Sequence, residues 1–174
     1  MVSEAERLAL AADISRASRL TGTFTLRSGK VSDQYFDKYR FEADPALLAR
    51  VAAAMLRLVP ADTEVLAGLE MGGVPIATAM SLRSGAPAAF VRKQAKTYGT
   101  CLAVEGSDVA GKRVVMIEDV VSTGGAVIDA AALLREAGAS IVGVVCAIWR
   151  GDGEPAIAGL DCPVLPAFRM AELP

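Results

Sequence analysis

Short, almost wholly apolar runs at 64–69, 87–91, 114–117 and 141–148 constrain this chain more than any other feature. A strand with one wet face alternates apolar and polar residues, so a run apolar at nearly every position is buried on both faces. Helix-like segments lie between these runs, which predicts an α/β fold with a parallel sheet covered on both sides. The chain of 174 residues suits one domain, and its 53% hydrophobic content is enough for a sizeable core. In such sheets ligands bind beyond the carboxyl ends of the strands. The segments to inspect are therefore 69–74, 92–106, 118–126 and the strand end near Arg150.

The rest of the chain fits round this centre. Residues 5–20 read as a helix with Leu8, Ala11 and Ala12 near one face. Residues 21–42, broken by Gly22 and Gly29, read as small strands and turns. Asp44 caps a helix that Pro45 opens, and Leu47, Leu48, Val51, Met55 and Leu56 share one face of it. A further helix follows Gly73 to about Leu82, and another runs from Gly124-Gly125 to a C-cap at Gly138. Residues 92–106 read as a long loop or exposed hairpin, and 164–170 as a last strand. No repeat or linker interrupts the pattern.

Composition excludes several chemistries. There is no histidine, so Ser-His-Asp and Cys-His triads and histidine-ligated metals are ruled out. Eighteen Lys and Arg against 20 Asp and Glu give a net charge of −2, which argues against a nucleic-acid or basic membrane surface. Cys101, Cys146 and Cys162 are widely spaced and form no CxxC pair, so neither a disulfide framework nor a zinc site is expected. Cys146, inside an apolar run, reads as a core thiol. Acids at Glu4 and Glu6 do not suit a signal peptide, and no apolar run is long enough to span a bilayer. A cytoplasmic protein with reduced thiols is expected.

The richest segment is 114–126, Val-Val-Met-Ile-Glu-Asp-Val-Val-Ser-Thr-Gly-Gly-Ala. A hydrophobic strand ends in two acids, and a Ser-Thr-Gly-Gly turn then enters a helix. Backbone N–H groups and two hydroxyls at a helix N-terminus favour a phosphate. Two acids beside a phosphate cradle suit the adjacent hydroxyls of a ribose, so the segment asks for a ribose 5-phosphate group. It is neither a P-loop nor a GxGxxG fingerprint.

This segment closely resembles the 5-phosphoribosyl 1-pyrophosphate (PRPP) signature of the type I phosphoribosyltransferases. Other segments are similar to the orotate branch: Arg92-Lys93-Gln94-Ala95-Lys96-Thr97-Tyr98-Gly99 leading to Glu105-Gly106, Phe24-Thr25-Leu26-Arg27-Ser28-Gly29 with Tyr35-Phe36-Asp37, and Trp149-Arg150-Gly151. The resemblance implies a type I phosphoribosyltransferase fold, with a core over about 43–151 and a small hood from 1–42 and 152–174, on which 164–170 would pack. It implies a single domain that transfers ribose 5-phosphate from PRPP to orotate in pyrimidine biosynthesis. Glu118 and Asp119 would contact the ribose hydroxyls. Ser122, Thr123, Gly124, Gly125 and Ala126 would hold the 5-phosphate, with Val120, Val121, Tyr98, Gly72 and Gly73 completing the PRPP site.

Lys96 would be the mobile cation on the departing pyrophosphate, assisted by Lys93 and Arg92. Arg27, Tyr35, Phe36, Ser122 and Arg150 would bind orotate, and a guanidinium such as that of Arg150 suits bidentate recognition of a carboxylate. Mg²⁺ would be held mainly by PRPP, with no protein metal ligand. The resemblance also implies a homodimer with shared sites. Two departures from the family pattern stand out: the 68–73 loop lacks a lysine, and Tyr98 stands where the loop often has histidine. A phosphoribosyltransferase for a purine or uracil, and a PRPP-sensing regulator without catalysis, remain the rival readings.

Overall fold

The computed structural model describes residues 3–26, 29–94 and 102–174. Chain order is α1 (Glu4–Ser18), β1 (Arg19–Thr25), β2 (Val31–Phe36), α2 (Tyr39–Ala43), α3 (Pro45–Leu56), β3 (Val65–Leu69), α4 (Gly73–Ser84), β4 (Ala88–Val91), β5 (Val104–Gly106), β6 (Arg113–Val121), α5 (Gly125–Glu136), β7 (Ser140–Trp149) and β8 (Val164–Arg169). A 3-10 turn, Met170–Glu172, follows β8.

The apolar runs form a six-stranded sheet in the order β5-β4-β3-β6-β7-β8. Its pairs are parallel except that β5 lies antiparallel to β4 at one edge. Of the segment 92–106, read as a loop or hairpin, β5 returns antiparallel beside β4, while residues 95–101 lie outside the described residues. Every residue of β3 is buried, as its unbroken apolar run predicts.

Two cores flank the sheet. Val114 and Met116 of β6 pack with Val127, Ala131 and Leu134 of α5 on one face. Val115 and Ile117 pack on the other face with Ile14 of α1, Phe41 of α2, Val51 and Met55 of α3, and Ile76 and Met80 of α4. Asp44 caps α3 as expected, its carboxylate accepting from the amides of Ala46 and Leu47 at 2.8 and 3.0 Å. In α1 the buried face is Leu10, Ala11, Ile14, Ser15 and Ser18, while Leu8 is exposed. The short apolar side chains of this helix leave its face poorly marked in the sequence.

β1 and β2 form a separate antiparallel pair. Residues 37–42, read as strand and turn, instead carry the short helix α2. β8 was expected on the hood, yet it pairs in parallel with β7 and extends the main sheet. Contacts toward α1 come from β8's outer edge and from residues beyond it: Arg7 donates to the carbonyl of Ala167 at 3.3 Å and to Glu172 at 2.6 Å. Among the described residues no helix is long and apolar enough to cross a membrane.

Candidate active site

Strand order reverses direction between β3 and β6, so the loops leaving these two neighbours diverge and open a crevice. The turn after β6 has no side-chain cap on α5; its N-cap is Gly124, with φ 80°. A Cβ there would lie 2.7 Å from Ile157, so a side chain is excluded on conformation and on space. The amides of the first turn of α5 are thus left without a side-chain acceptor, and Ser122, Thr123, Gly125 and Ala126 are exposed around them. A cleft of about 490 Å³ opens here, walled by Glu118, Thr123, Gly125, Ala126, Arg92 and Lys93, with Glu70 and Asp129 at its edges. Its size suits a small phosphorylated metabolite.

Glu118 and Asp119 part company. Side chains alternate along a strand, so neighbours point to opposite faces. Glu118 turns to the α5 side and lines the cleft. Asp119 turns to the other side, is wholly covered, and pairs with Lys38 Nζ at 2.6 Å. Of the two acids expected at the ribose, Glu118 lines this cleft and Asp119 lies behind it, the two carboxyls still close enough to share a hydrogen bond. Val120 and Val121 are likewise strand residues, packed into the two cores rather than the cleft.

Gly72 lies behind Asp119; a Cβ on it would fall 1.6 Å from Asp119 Oδ2. The preceding Glu70–Met71 peptide is cis. Glu70 joins the two loops beside the crevice, accepting the Lys93 amide at 2.9 Å. Arg92 pairs with Glu105 at 3.7 Å across the base of the hairpin. Arg92 and Lys93 thus reach the cleft; Lys96, Tyr98 and Arg27 lie outside the described residues.

A second cleft, of about 310 Å³, brings together Tyr35, Phe36 and Arg150, with Arg19, Gln34 and Met170. The Arg150 guanidinium sits 5.7 Å from the Phe36 ring centroid. Its backbone N–H donates to the Val121 carbonyl at 2.7 Å, which ties this cleft to the end of β6. A cation over an aromatic floor suits a planar anion. Ser122 stands exposed on the turn after β6, outside the lining of this cleft.

Sequence reading missed Lys38, Glu42, Glu70, Asp129 and Met170. Strand alternation could have separated Asp119 from Glu118, but nothing local pairs Lys38 with a residue 81 positions on. Burial, with Asp119 nearby, pushes Glu42 and Glu118 each up to about 9. Burial would also raise Asp119, but hydrogen bonds with Glu118 and Lys38 outweigh it and hold Asp119 below the usual carboxylate range. Burial pushes the Cys146 thiol up to about 12, as befits an inert core residue.

The raised glutamates have a consequence for stability. The unfolded chain releases these protons from about pH 4.5, while the fold retains them until about 9. Stability therefore falls as pH rises through that window. Glu42→Gln, which mimics the protonated acid, is expected to raise the melting temperature near pH 9 by about 4 °C or more, the gain shrinking toward the acid end. Thermal scans across pH check this; a gain equal at both ends would refute it.

Comparison with known proteins agrees with this geometry. Residues 39–165 match the phosphoribosyl transferase domain family. An orotate phosphoribosyltransferase from a Nocardioides species is 58% identical over 94% of this chain and 92% of its own length. This chain belongs to the orotate phosphoribosyltransferases. An orotate phosphoribosyltransferase from Thermococcus gammatolerans is 40% identical over 88% of this chain and 84% of its own length. The crystal structure of the Mycobacterium tuberculosis orotate phosphoribosyltransferase in complex with PRPP superposes with a TM-score of 0.81 at 30% identity, over 96% of this chain and 98% of that one. The mostly parallel sheet and flanking helices are those of a type I phosphoribosyltransferase.

Proposed function

We propose that this orotate phosphoribosyltransferase transfers ribose 5-phosphate from PRPP to orotate, giving orotidine 5′-monophosphate and pyrophosphate in pyrimidine biosynthesis. The observation that carries this reading is the meeting, at the end of β6, of two unlike clefts. One has an uncapped helix N-terminus and Glu118 for a ribose phosphate; the other has Arg150 and Phe36 for a planar anion.

The 5-phosphate takes the N-terminus of α5, and Glu118 meets the ribose hydroxyls. Orotate lies against Phe36 with its carboxylate on Arg150. C1′ then loses pyrophosphate and gains the orotate ring nitrogen with inversion, the N–H proton of that nitrogen passing to the departing pyrophosphate or to water, through a transition state with oxocarbenium character as in glycoside chemistry. Pyrophosphate leaves as an anion, so the missing histidine is no obstacle. Arg92 and Lys93, with Lys96 beyond them, stabilise the leaving charge. Closure of the 92–106 segment would exclude water and limit PRPP hydrolysis.

Among the described residues no three acidic or thiol side chains converge into a metal cage. Mg²⁺ carried in by the pyrophosphate and ribose hydroxyls would supply charge neutralisation there. A homodimer sharing these hairpins belongs to the reading and is supported by Met71 and Leu102, exposed apolar side chains on the loops beside the cleft. A cytoplasmic location goes with it.

Loss of orotate ultraviolet absorbance on mixing with PRPP and Mg²⁺ tests the reaction. No loss with orotate, but turnover of a purine or uracil, would overturn the choice of base. Arg150→Ala is expected to raise the orotate KM roughly 10-fold to 100-fold, since a charged hydrogen bond is lost, with little change in the KM for PRPP.

A further inference from the structure

Lys38 lines neither cleft, yet it pairs with the acid next to Glu118, which does line one. It stands between Phe36, which floors the base cleft, and α2, and its Nζ reaches Asp119 Oδ2 at 2.6 Å. Asp119 is wholly covered, and Glu42 at the same spot is 7% exposed with Oε1 lacking a hydrogen-bond partner. Glu118 completes the group, its Oε1 accepting the Asp119 amide at 2.9 Å. Asp119 thus sits between two other carboxyls, Glu42 beside it and Glu118 reaching it from the other face of β6, and Lys38 is the cation paired with it. On the far side, Gly72 lies against Asp119 too closely to admit a methyl group.

We infer that Lys38 is a positioning residue for the PRPP site, holding Asp119 as a fixed carboxylate between the turn at Gly72 and Glu118. The inference rests on the reading of this cleft as a PRPP site. Removing one partner of a buried pair leaves the other charge uncompensated, which is strongly unfavourable. Without Lys38, Asp119 must take a proton or swing out of its place. Either move disturbs the Asp119 amide that Glu118 accepts and the turn that opens α4. A plain hood-to-core ion pair would also cost stability, but it would not select one substrate over the other.

The test compares wild type, Lys38→Met and Lys38→Arg by calorimetric titration with PRPP and Mg²⁺ and by steady-state kinetics with orotate. Lys38→Met is expected to raise the PRPP Kd and KM about tenfold or more, with kcat and the orotate KM within about threefold of wild type. Lys38→Arg keeps the charge and should return PRPP binding to within about threefold of wild type. In an Asp119→Asn background, where the carboxylate paired with Lys38 is gone, Lys38→Met should change the PRPP Kd less than about twofold. If Lys38→Met does not fold, Lys38→Arg and the neutral double variant carry the comparison. PRPP binding by Lys38→Met equal to or tighter than wild type overturns the inference, as does full additivity in the double variant or failure of Lys38→Arg to rescue. Wild type that fails to bind PRPP overturns the proposed function instead.

Discussion

Gly72→Ala is expected to raise the PRPP KM about 100-fold and to lower the melting temperature, an effect larger than ordinary overpacking because the clash falls on a buried ion pair. The backbone at Gly72 has φ −68° and ψ −30°, which any residue can adopt, so conformation is not the obstacle. Space is the obstacle. The added carbon would lie 1.6 Å from Oδ2 and 2.3 Å from Cγ of Asp119. That carboxylate cannot retreat easily, because the same oxygen is paired with Lys38 and the group is wholly buried. The turn must therefore shift, carrying the start of α4 away from the crevice. Equilibrium binding of PRPP together with a thermal scan measures both effects. An alanine variant that binds PRPP within about threefold of wild type would show that the turn has no part in holding this substrate.

Lys96→Ala is expected to lower kcat about 100-fold to 1,000-fold while leaving the melting temperature unchanged, the scale seen when one preorganised charge on a developing anion is removed. The hairpin stem is well anchored. The Arg92 amide donates to Ala103 at 2.9 Å and the Lys93 amide to Glu70 at 2.9 Å. Those bonds set Arg92 and Lys93 on the cleft wall, and the role of cation on the leaving pyrophosphate is proposed for Lys96 from the family resemblance. Single-turnover kinetics separates chemistry from release. Wild-type turnover in this variant would remove Lys96 from the reaction.

Much of the fold was legible because the buried strands were written as unbroken apolar runs, and the cap at Asp44 and the turn at 122–125 carry local chemistry. The sites at strand ends followed from topology. What could not be read was whatever depends on partners distant in sequence. Lys38 looks like one more surface lysine until the fold sets it on Asp119. The edge position of β8 is fixed by register with β7, and no turn residue announces it. The direction of β5 depends on how far the chain travels after Val91, not on the character of three residues. The separation of Glu118 from Asp119 was available in principle, since strand alternation assigns adjacent residues to opposite faces.

The two clefts also differ in how they are closed. The phosphate cleft draws its walls from residues 69 to 133, one continuous stretch through the middle of the chain. The base cleft joins Arg19 and Phe36 to Arg150 and Met170, and Arg19 also donates to the carbonyl of Leu173 at 2.9 Å. Closing so long a loop has its own entropic cost, met behind the cleft by Ile14, Phe168 and Leu173 in one core and at its rim by a few hydrogen bonds beside a two-stranded hairpin. Local opening therefore begins at that seam. Warming is therefore expected to weaken orotate binding before PRPP binding, which calorimetric titration of each substrate at rising temperature checks.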